Sequence, residues 1–219
     1  MKSNSERALR LGVLIGGGGR TLLNLAECIE RDDLSASIEI VIAPRANLPG
    51  VERARDRNLP IEVIEPVASQ PHVDERINQR LIDTNIDLVC MAGYIRYLRI
   101  DRALHGKVIN IHPALLPSFG GRGMYGLAVH RAVLDHGCKV SGCTVHFVDE
   151  HYDNGPIILQ RTCPVLDDDT PELLAARVFT EECQAYPQAI RLFGEGRLRI
   201  EGRRVRILPP QSAAAKAGA

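Results

Sequence analysis

The feature of this sequence that most limits what it can become is a rhythm. Short apolar runs alternate with longer stretches whose apolar residues recur at helical spacing. Residues 11–15, broken only by Gly12, precede residues 21–31, where Leu22, Leu25, Ala26 and Ile29 fall on one helical face. Residues 38–43 read as a second strand, 51–58 as a helix and 61–64 as a third strand. In residues 73–84, Ile77, Leu81 and Ile82 are again helically spaced, and residues 87–92 and 107–111 give two further strands. Strands apolar on both faces belong in a parallel sheet covered on each side. The expectation is an α/β fold with a mostly parallel central sheet and helices on both faces.

The rhythm changes after residue 112. Residues 112–127 are rich in Pro and Gly and read as a long loop, followed by a helix at 128–135. Residues 141–148 and 156–165 read as two longer strands. Residues 171–193 form the longest helical stretch, with Thr170 suited to the cap and Pro171 to the first turn. A terminal hairpin is expected from 198–200 and 205–208 around Gly202. With no repeat and no linker, one domain spanning 1–219 is expected, with flexible ends at 1–8 and 211–219.

Composition narrows the classes of function. The 27 basic residues balance the 27 acidic ones, whereas nucleic-acid binders usually carry a basic excess. Aromatics are 4% of the chain and Trp is absent, so a base-stacking surface is not expected. No run approaches the ~18 apolar residues of a membrane span, and the polar start lacks a signal-peptide pattern. Six scattered cysteines without a CxxC pair, and histidines without ligand spacing, give no metal site and fit reduced thiols in the cytoplasm.

Three constellations carry chemistry. Gly16-Gly17-Gly18-Gly19-Arg20-Thr21 lies between a strand and a helix. Glycines allow close backbone approach, and the helix start favours an anion such as phosphate. The dinucleotide fingerprint fails because Leu22 takes its third glycine position, and the lysine of the phosphate-loop motif is missing. A tight turn with no ligand is the competing reading. In Val108-Ile109-Asn110-Ile111-His112-Pro113, Asn110 and His112 are two apart and share a strand face. An amide donor beside a proton-shuttling imidazole suits an oxygen that becomes negative, although both residues could equally serve loop backbone. Asp153 sits in the turn signal Asp153-Asn154-Gly155. It either shapes that loop or orients His112 and raises its affinity for a proton. His146, between hydrophobes, reads as a core histidine; His72, His105, His130, His136 and His151 gain no role.

Asn110-Ile111-His112-Pro113-Ala114-Leu115-Leu116-Pro117, followed further on by Asp153-Asn154-Gly155-Pro156-Ile157-Ile158, resembles the folate-dependent formyltransferases. The likeness runs from about residue 10 to residue 211 and includes Ala92-Gly93-Tyr94-Ile95-Arg96, Thr144-Val145-His146-Phe147 and Leu208-Pro209-Pro210-Gln211. It implies a Rossmann-like formyltransferase fold. It also implies transfer of the formyl group of 10-formyltetrahydrofolate, a co-substrate, to the amine of glycinamide ribonucleotide in purine synthesis. Asn110, His112 and Asp153 match the family's catalytic triad, in which Asn110 and protonated His112 bind the oxyanion and Asp153 favours the charged imidazole. Gly17, Gly18, Gly19, Arg20 and Thr21 match the loop holding the substrate phosphate. Glu182 matches a glutamate touching the glycinamide substrate, and Arg96, Tyr97, Leu98 and Asn110 match the folate pocket.

The chain departs from the family pattern in places. The loop loses the Ser and Asn side chains of the usual Ser-Gly-x-Gly-Ser-Asn. An arginine expected before the third helix has no equivalent beyond the stretch holding Asp74 and Arg76. Residues 120–126 are longer than in the shortest members. The competing functions are hydrolysis of the same folate by water, transfer to another amine, and a non-catalytic binding module. The partners expected are small molecules only, with no nucleic acid and no membrane, in a monomer or homodimer.

Overall fold

The computed structural model describes residues 7–66 and 70–210. In chain order its elements are β1 (Leu9–Ile15), α1 (Arg20–Glu30), β2 (Ala36–Ala43), α2 (Pro49–Asp56), β3 (Ile61–Val63), α3 (Gln70–Asp83) and β4 (Leu88–Ala92). After a 3₁₀ turn at Arg102–Leu104 come β5 (Val108–His112), α4 (Leu127–Asp135), β6 (Val140–Phe147), β7 (Ile157–Pro164), α5 (Pro171–Gly194), β8 (Leu198–Glu201) and β9 (Arg204–Ile207). Thr170 caps α5 as expected: its hydroxyl accepts from the Leu173 N–H at 3.3 Å.

One nine-stranded sheet runs β3-β2-β1-β4-β5-β6-β7-β9-β8. Strands β3 to β5 are parallel; β6 and β7 run antiparallel to their predecessors, β9 lies parallel to β7, and β8–β9 form the expected hairpin. Alternation within the strands divides the apolar residues between two cores. Leu11, Val13, Ile15, Cys90 and Ile109 face α1, α2 and α5, whereas Leu14, Ile42, Val89 and Val108 face Val73, Ile77 and Leu81 of α3. Helices on both faces thus agree with the apolar-run reading.

Two features of this frame place the site. β1 is flanked by β2 on one side and β4 on the other, so the chain reverses direction across the sheet at that point. Ligands of open α/β sheets bind beyond the carboxyl ends of the strands at such a switch. Here those ends are followed by Gly16 and Gly93, and a Cβ on Gly16 would overlap the Gly93 carbonyl. The second feature is the fully buried Tyr186 of α5, whose hydroxyl lies 2.9 Å from the Met91 carbonyl oxygen and 3.2 Å from that of Ile109. It ties β4 to β5 where both approach the site.

The expected flexible ends fall outside the described residues at 1–6 and 211–219. Arg7, counted with the amino-terminal one, donates to Asp87 at 2.7 Å and is fixed against the strand start. His112, expected to open the long loop, is the last residue of β5.

Candidate active site

Asn110 and His112 follow Val108 on one face of β5, because Ile109 and Ile111 point into the opposite core. The antiparallel register with β6 sets Asn110 opposite His146 and His112 opposite Thr144. Asp153 then arrives from the turn after β6, at a positive φ of 50°. The turn can tuck against β6 because Gly155 lies on Phe147, where a Cβ would overlap the Phe147 carbonyl oxygen.

These four side chains form one network. The His146 Nδ1 lies 2.8 Å from the Phe147 carbonyl oxygen. A carbonyl only accepts, so Nδ1 carries a proton and neutral His146 presents a bare Nε2. That Nε2 accepts from the Asn110 amide at 3.2 Å, and the same amide donates to Asp153 Oδ1 at 3.4 Å. Asp153 Oδ2 accepts from the Gly121 N–H at 2.9 Å and faces His112 Nδ1 at 3.4 Å. The other ring nitrogen of His112, Nε2, donates to the Phe119 carbonyl at 2.8 Å. Nδ1 is therefore the nitrogen that gains or loses a proton. The two 3.4 Å contacts are long for hydrogen bonds and are the ones an incoming polar group displaces at least cost.

His146 belongs to this site, contrary to the core reading of the sequence. It is buried between apolar neighbours, as that reading held, but its ring edge faces Asn110 and Asp153. Burial holds the pKa of His112 below the ordinary histidine value, outweighing the upward pull of Asp153 and of the Phe119 carbonyl. Burial would raise Asp153, but the His146 and His112 rings beside it and the hydrogen bond from the Gly121 N–H together hold it below the ordinary carboxylate range.

The network opens into a cavity of about 810 Å³, a size that suits small-molecule ligands. Gly17, Gly18, Gly19, Arg20, Thr21, Arg96, Tyr97, Leu98, Asn110, His112, Asp153 and Glu182 all line it. At one end Gly19 precedes α1 in the left-handed region (φ 72°) and offers no side-chain cap, so the first-turn N–H groups keep their donor capacity. A Cβ on Gly19 would stand 2.7 Å from the Gly50 Cα, and the Gly50 N–H donates to Gly17 O at 3.0 Å, so α2 supports the loop from behind. Arg53 of α2 donates to the Gly18 carbonyl.

Glu182 of α5 faces the same end. Burial pushes its carboxyl up to about 7, and the Arg20 charge only partly opposes this. His130 of α4 is buried and lines the cavity too, with no hydrogen-bond partner for its Nδ1 among the described residues. Burial first, and the Arg20 charge after it, lower it to about 4, so it stays neutral. Its place in a helical apolar stripe hid it in the sequence.

The 93–98 segment, also part of the cavity wall, is anchored to α3 just beyond its end. Asp74 accepts from the Arg99 N–H at 3.1 Å, and Asn78 donates to Arg99 O at 2.7 Å and accepts from Asp101 N–H at 3.1 Å. Tyr97 packs edge-on against Tyr152, centroids 5.6 Å apart. The 113–117 stretch is fixed by Thr144, which donates to Ala114 O at 2.7 Å and accepts from Leu116 N–H at 3.0 Å. Among the described residues no group of three or more His, Cys, Asp or Glu could hold a metal ion, and no helix is long and apolar enough to cross a membrane.

Comparison with known proteins adds to this geometry. The formyl transferase family pattern matches residues 9–190. The chain is 37% identical over 198 residues to the chloroplastic phosphoribosylglycinamide formyltransferase of Vigna unguiculata, covering 88% of this chain and 63% of that protein. It therefore spans just under two thirds of that relative's length. The phosphoribosylglycinamide formyltransferase of Haemophilus influenzae is 34% identical over 196 residues, covering 88% of this chain and 90% of that one. Among solved structures, glycinamide ribonucleotide transformylase 1 from Symbiobacterium toebii superimposes with a TM-score of 0.85 at 45% identity, covering 92% of this chain and 94% of that chain.

Proposed function

Because the chain belongs to the formyl transferase family, we propose that it moves the formyl group of 10-formyltetrahydrofolate onto the amine of glycinamide ribonucleotide, a step of purine synthesis. The observation carrying this reading is the meeting of Asn110, His112 and Asp153 at one wall of a cavity whose other end is a glycine loop at a helix start. An amine and a phosphate on one substrate need such a span. The folate lies against the segment of Arg96, Tyr97 and Leu98, beside Asn110. The phosphate takes the N–H groups of the Gly17-Gly18-Gly19-Arg20-Thr21 loop, and Glu182 contacts the rest of the nucleotide. The six cysteines, all free thiols, fit a protein at work in the reducing cytoplasm.

The step follows from the network. The amine nitrogen bonds to the formyl carbon, and the carbonyl electron pair moves onto oxygen. His112, neutral in the free protein, takes the proton shed by the amine at Nδ1. As an imidazolium it satisfies both acceptors it faces, Phe119 O and Asp153. Its charge, together with the Asn110 amide turned from Asp153 to the new oxyanion, stabilises the tetrahedral adduct, each such donor being worth about 3 kcal/mol. Collapse breaks the bond to the folate nitrogen, which receives the proton. His146 holds the Asn110 amide in line for this exchange.

With purified protein and 10-formyltetrahydrofolate, release of tetrahydrofolate is expected only when glycinamide ribonucleotide is added. Release at the same rate without the amine would identify a hydrolase and overturn the assignment.

The Asp153–His112 contact predicts a pH signature. Asp153 raises the affinity of His112 for a proton, so Asp153→Asn moves the His112 titration to still lower pH. Since the neutral imidazole accepts the proton, kcat at saturating substrates rises with pH through that titration. In Asp153→Asn this acid limb shifts to lower pH while the plateau falls by about 10². A limb that stays in place or moves up would remove Asp153 from its assigned role.

A further inference from the structure

Arg20 is the first residue of α1, and it does not fold back onto its own loop. Its guanidinium carbon lies 4.3 Å from the ring centroid of Phe179, which projects from α5 one turn before Glu182. Arg20 and Phe179 both line the cavity. Among the described residues Arg20 makes no hydrogen bond and no ion pair, whereas the neighbouring Arg53 is engaged by the Gly18 carbonyl.

We propose that Phe179 is a positioning residue that holds Arg20 as a preformed second arm for the phosphate of the nucleotide substrate. This rests on the function proposed above. A cation–π stack uses the face of the guanidinium and leaves the in-plane N–H donors along its edge unspent. Those donors are what a phosphate accepts, two at a time where geometry allows. A free arginine on a helix start would lose side-chain entropy on taking up the anion; one already laid on a ring loses less. The α1 N–H groups approach the phosphate from the backbone side, and the stacked Arg20 approaches from the α5 side. The four glycines of the loop carry no side-chain donor, and the stacked Arg20 adds a charged one beside them. A lysine at residue 20 has no planar face to lie on the ring and no fork to offer.

The test is a double-substitution cycle read on KM for glycinamide ribonucleotide. Phe179→Leu is expected to raise this KM roughly three- to tenfold, from the lost stack and the lost pre-ordering. The effect should fall on KM for the nucleotide rather than on kcat or on KM for the folate. Phe179→Tyr, which keeps a π face, is expected to restore it. In an Arg20→Ala background, Phe179→Leu adds nothing further. An equal added rise in that background, or an unchanged KM in Phe179→Leu alone, overturns the proposal while leaving the activity assignment standing. If the wild-type protein shows no turnover with glycinamide ribonucleotide, the activity assignment itself fails. The pair is then judged by calorimetric binding of ribose 5-phosphate to the same four proteins, where loss of the coupling overturns it.

Discussion

His112→Ala is expected to lower kcat for amine-dependent formyl transfer by about 10³ to 10⁴, with KM for both substrates within a few-fold of wild type and the protein still folded. His112 is only 3% exposed, so its contribution is not one that solvent can take over. In the proposed step its Nδ1 is the proton acceptor, and its imidazolium is one of two groups that stabilise the oxyanion. Asp153 alone cannot replace it, because a carboxylate held below its ordinary range is a poor acceptor for an amine proton. Removal of the ring also frees the Phe119 carbonyl, a cost of one hydrogen bond, about 1 kcal/mol. That loss is small beside the stability of an ordinary domain. The measurement is single-turnover product formation alongside a thermal melt. A folded His112→Ala protein turning over within tenfold of wild type would exclude the mechanism.

Gly155→Ala is expected to destabilise the protein by about 3 kcal/mol, a fall of roughly 6–12 °C in melting midpoint for a chain of this size. The cause is steric: the new Cβ would overlap the Phe147 carbonyl oxygen, a backbone atom that cannot rotate away. The Phe147 N–H donates to the Pro156 carbonyl at 2.9 Å, so the two segments cannot part without breaking the start of the β6–β7 pairing. Activity falls with stability, because Asp153 lies two residues earlier in the same turn and its contact to Gly121 N–H depends on that turn's path. Gly17→Ala is the control for the stability measurement: its Cβ would meet nothing within 4 Å, and a change within about 0.5 kcal/mol is expected. Equal melting midpoints for the two variants would refute the steric reading.

The frame of this protein was legible because its strands are apolar on both faces. Leu88, Val89, Cys90 and Met91 are buried in succession, as a strand is in a sheet covered on each side. The shared face of Asn110 and His112 was legible from a period of two. Two things were hidden for physical reasons. A histidine flanked by Val145 and Phe147 carries the same local pattern whether its ring edge meets apolar side chains or Asn110. Only the antiparallel register of β5 and β6, a long-range pairing, separates those cases. The Arg20–Phe179 stack joins opposite ends of the chain, and no local spacing encodes it. Asp153 lay between: its turn residues were plain, and its direction was not. Burial lowers the pKa of His112 against the pull of the acceptors around it, and desolvation is invisible in a string of residues.

The facing of Asn110 and His146 across β5 and β6 gives the site a parity. Successive residues of a strand alternate sides, so sliding β6 by a single position carries His146 to the far side of the sheet and sets Val145 or Phe147 against Asn110. Chain length within β6 can therefore change only in steps that restore the alternation, while the stretch from Gly120 to Gly126, which belongs to no strand, carries no such constraint. The Gly121–Gly126 part of that stretch lines the cavity, so length can vary there without carrying Asn110 or His146 to the other side of the sheet.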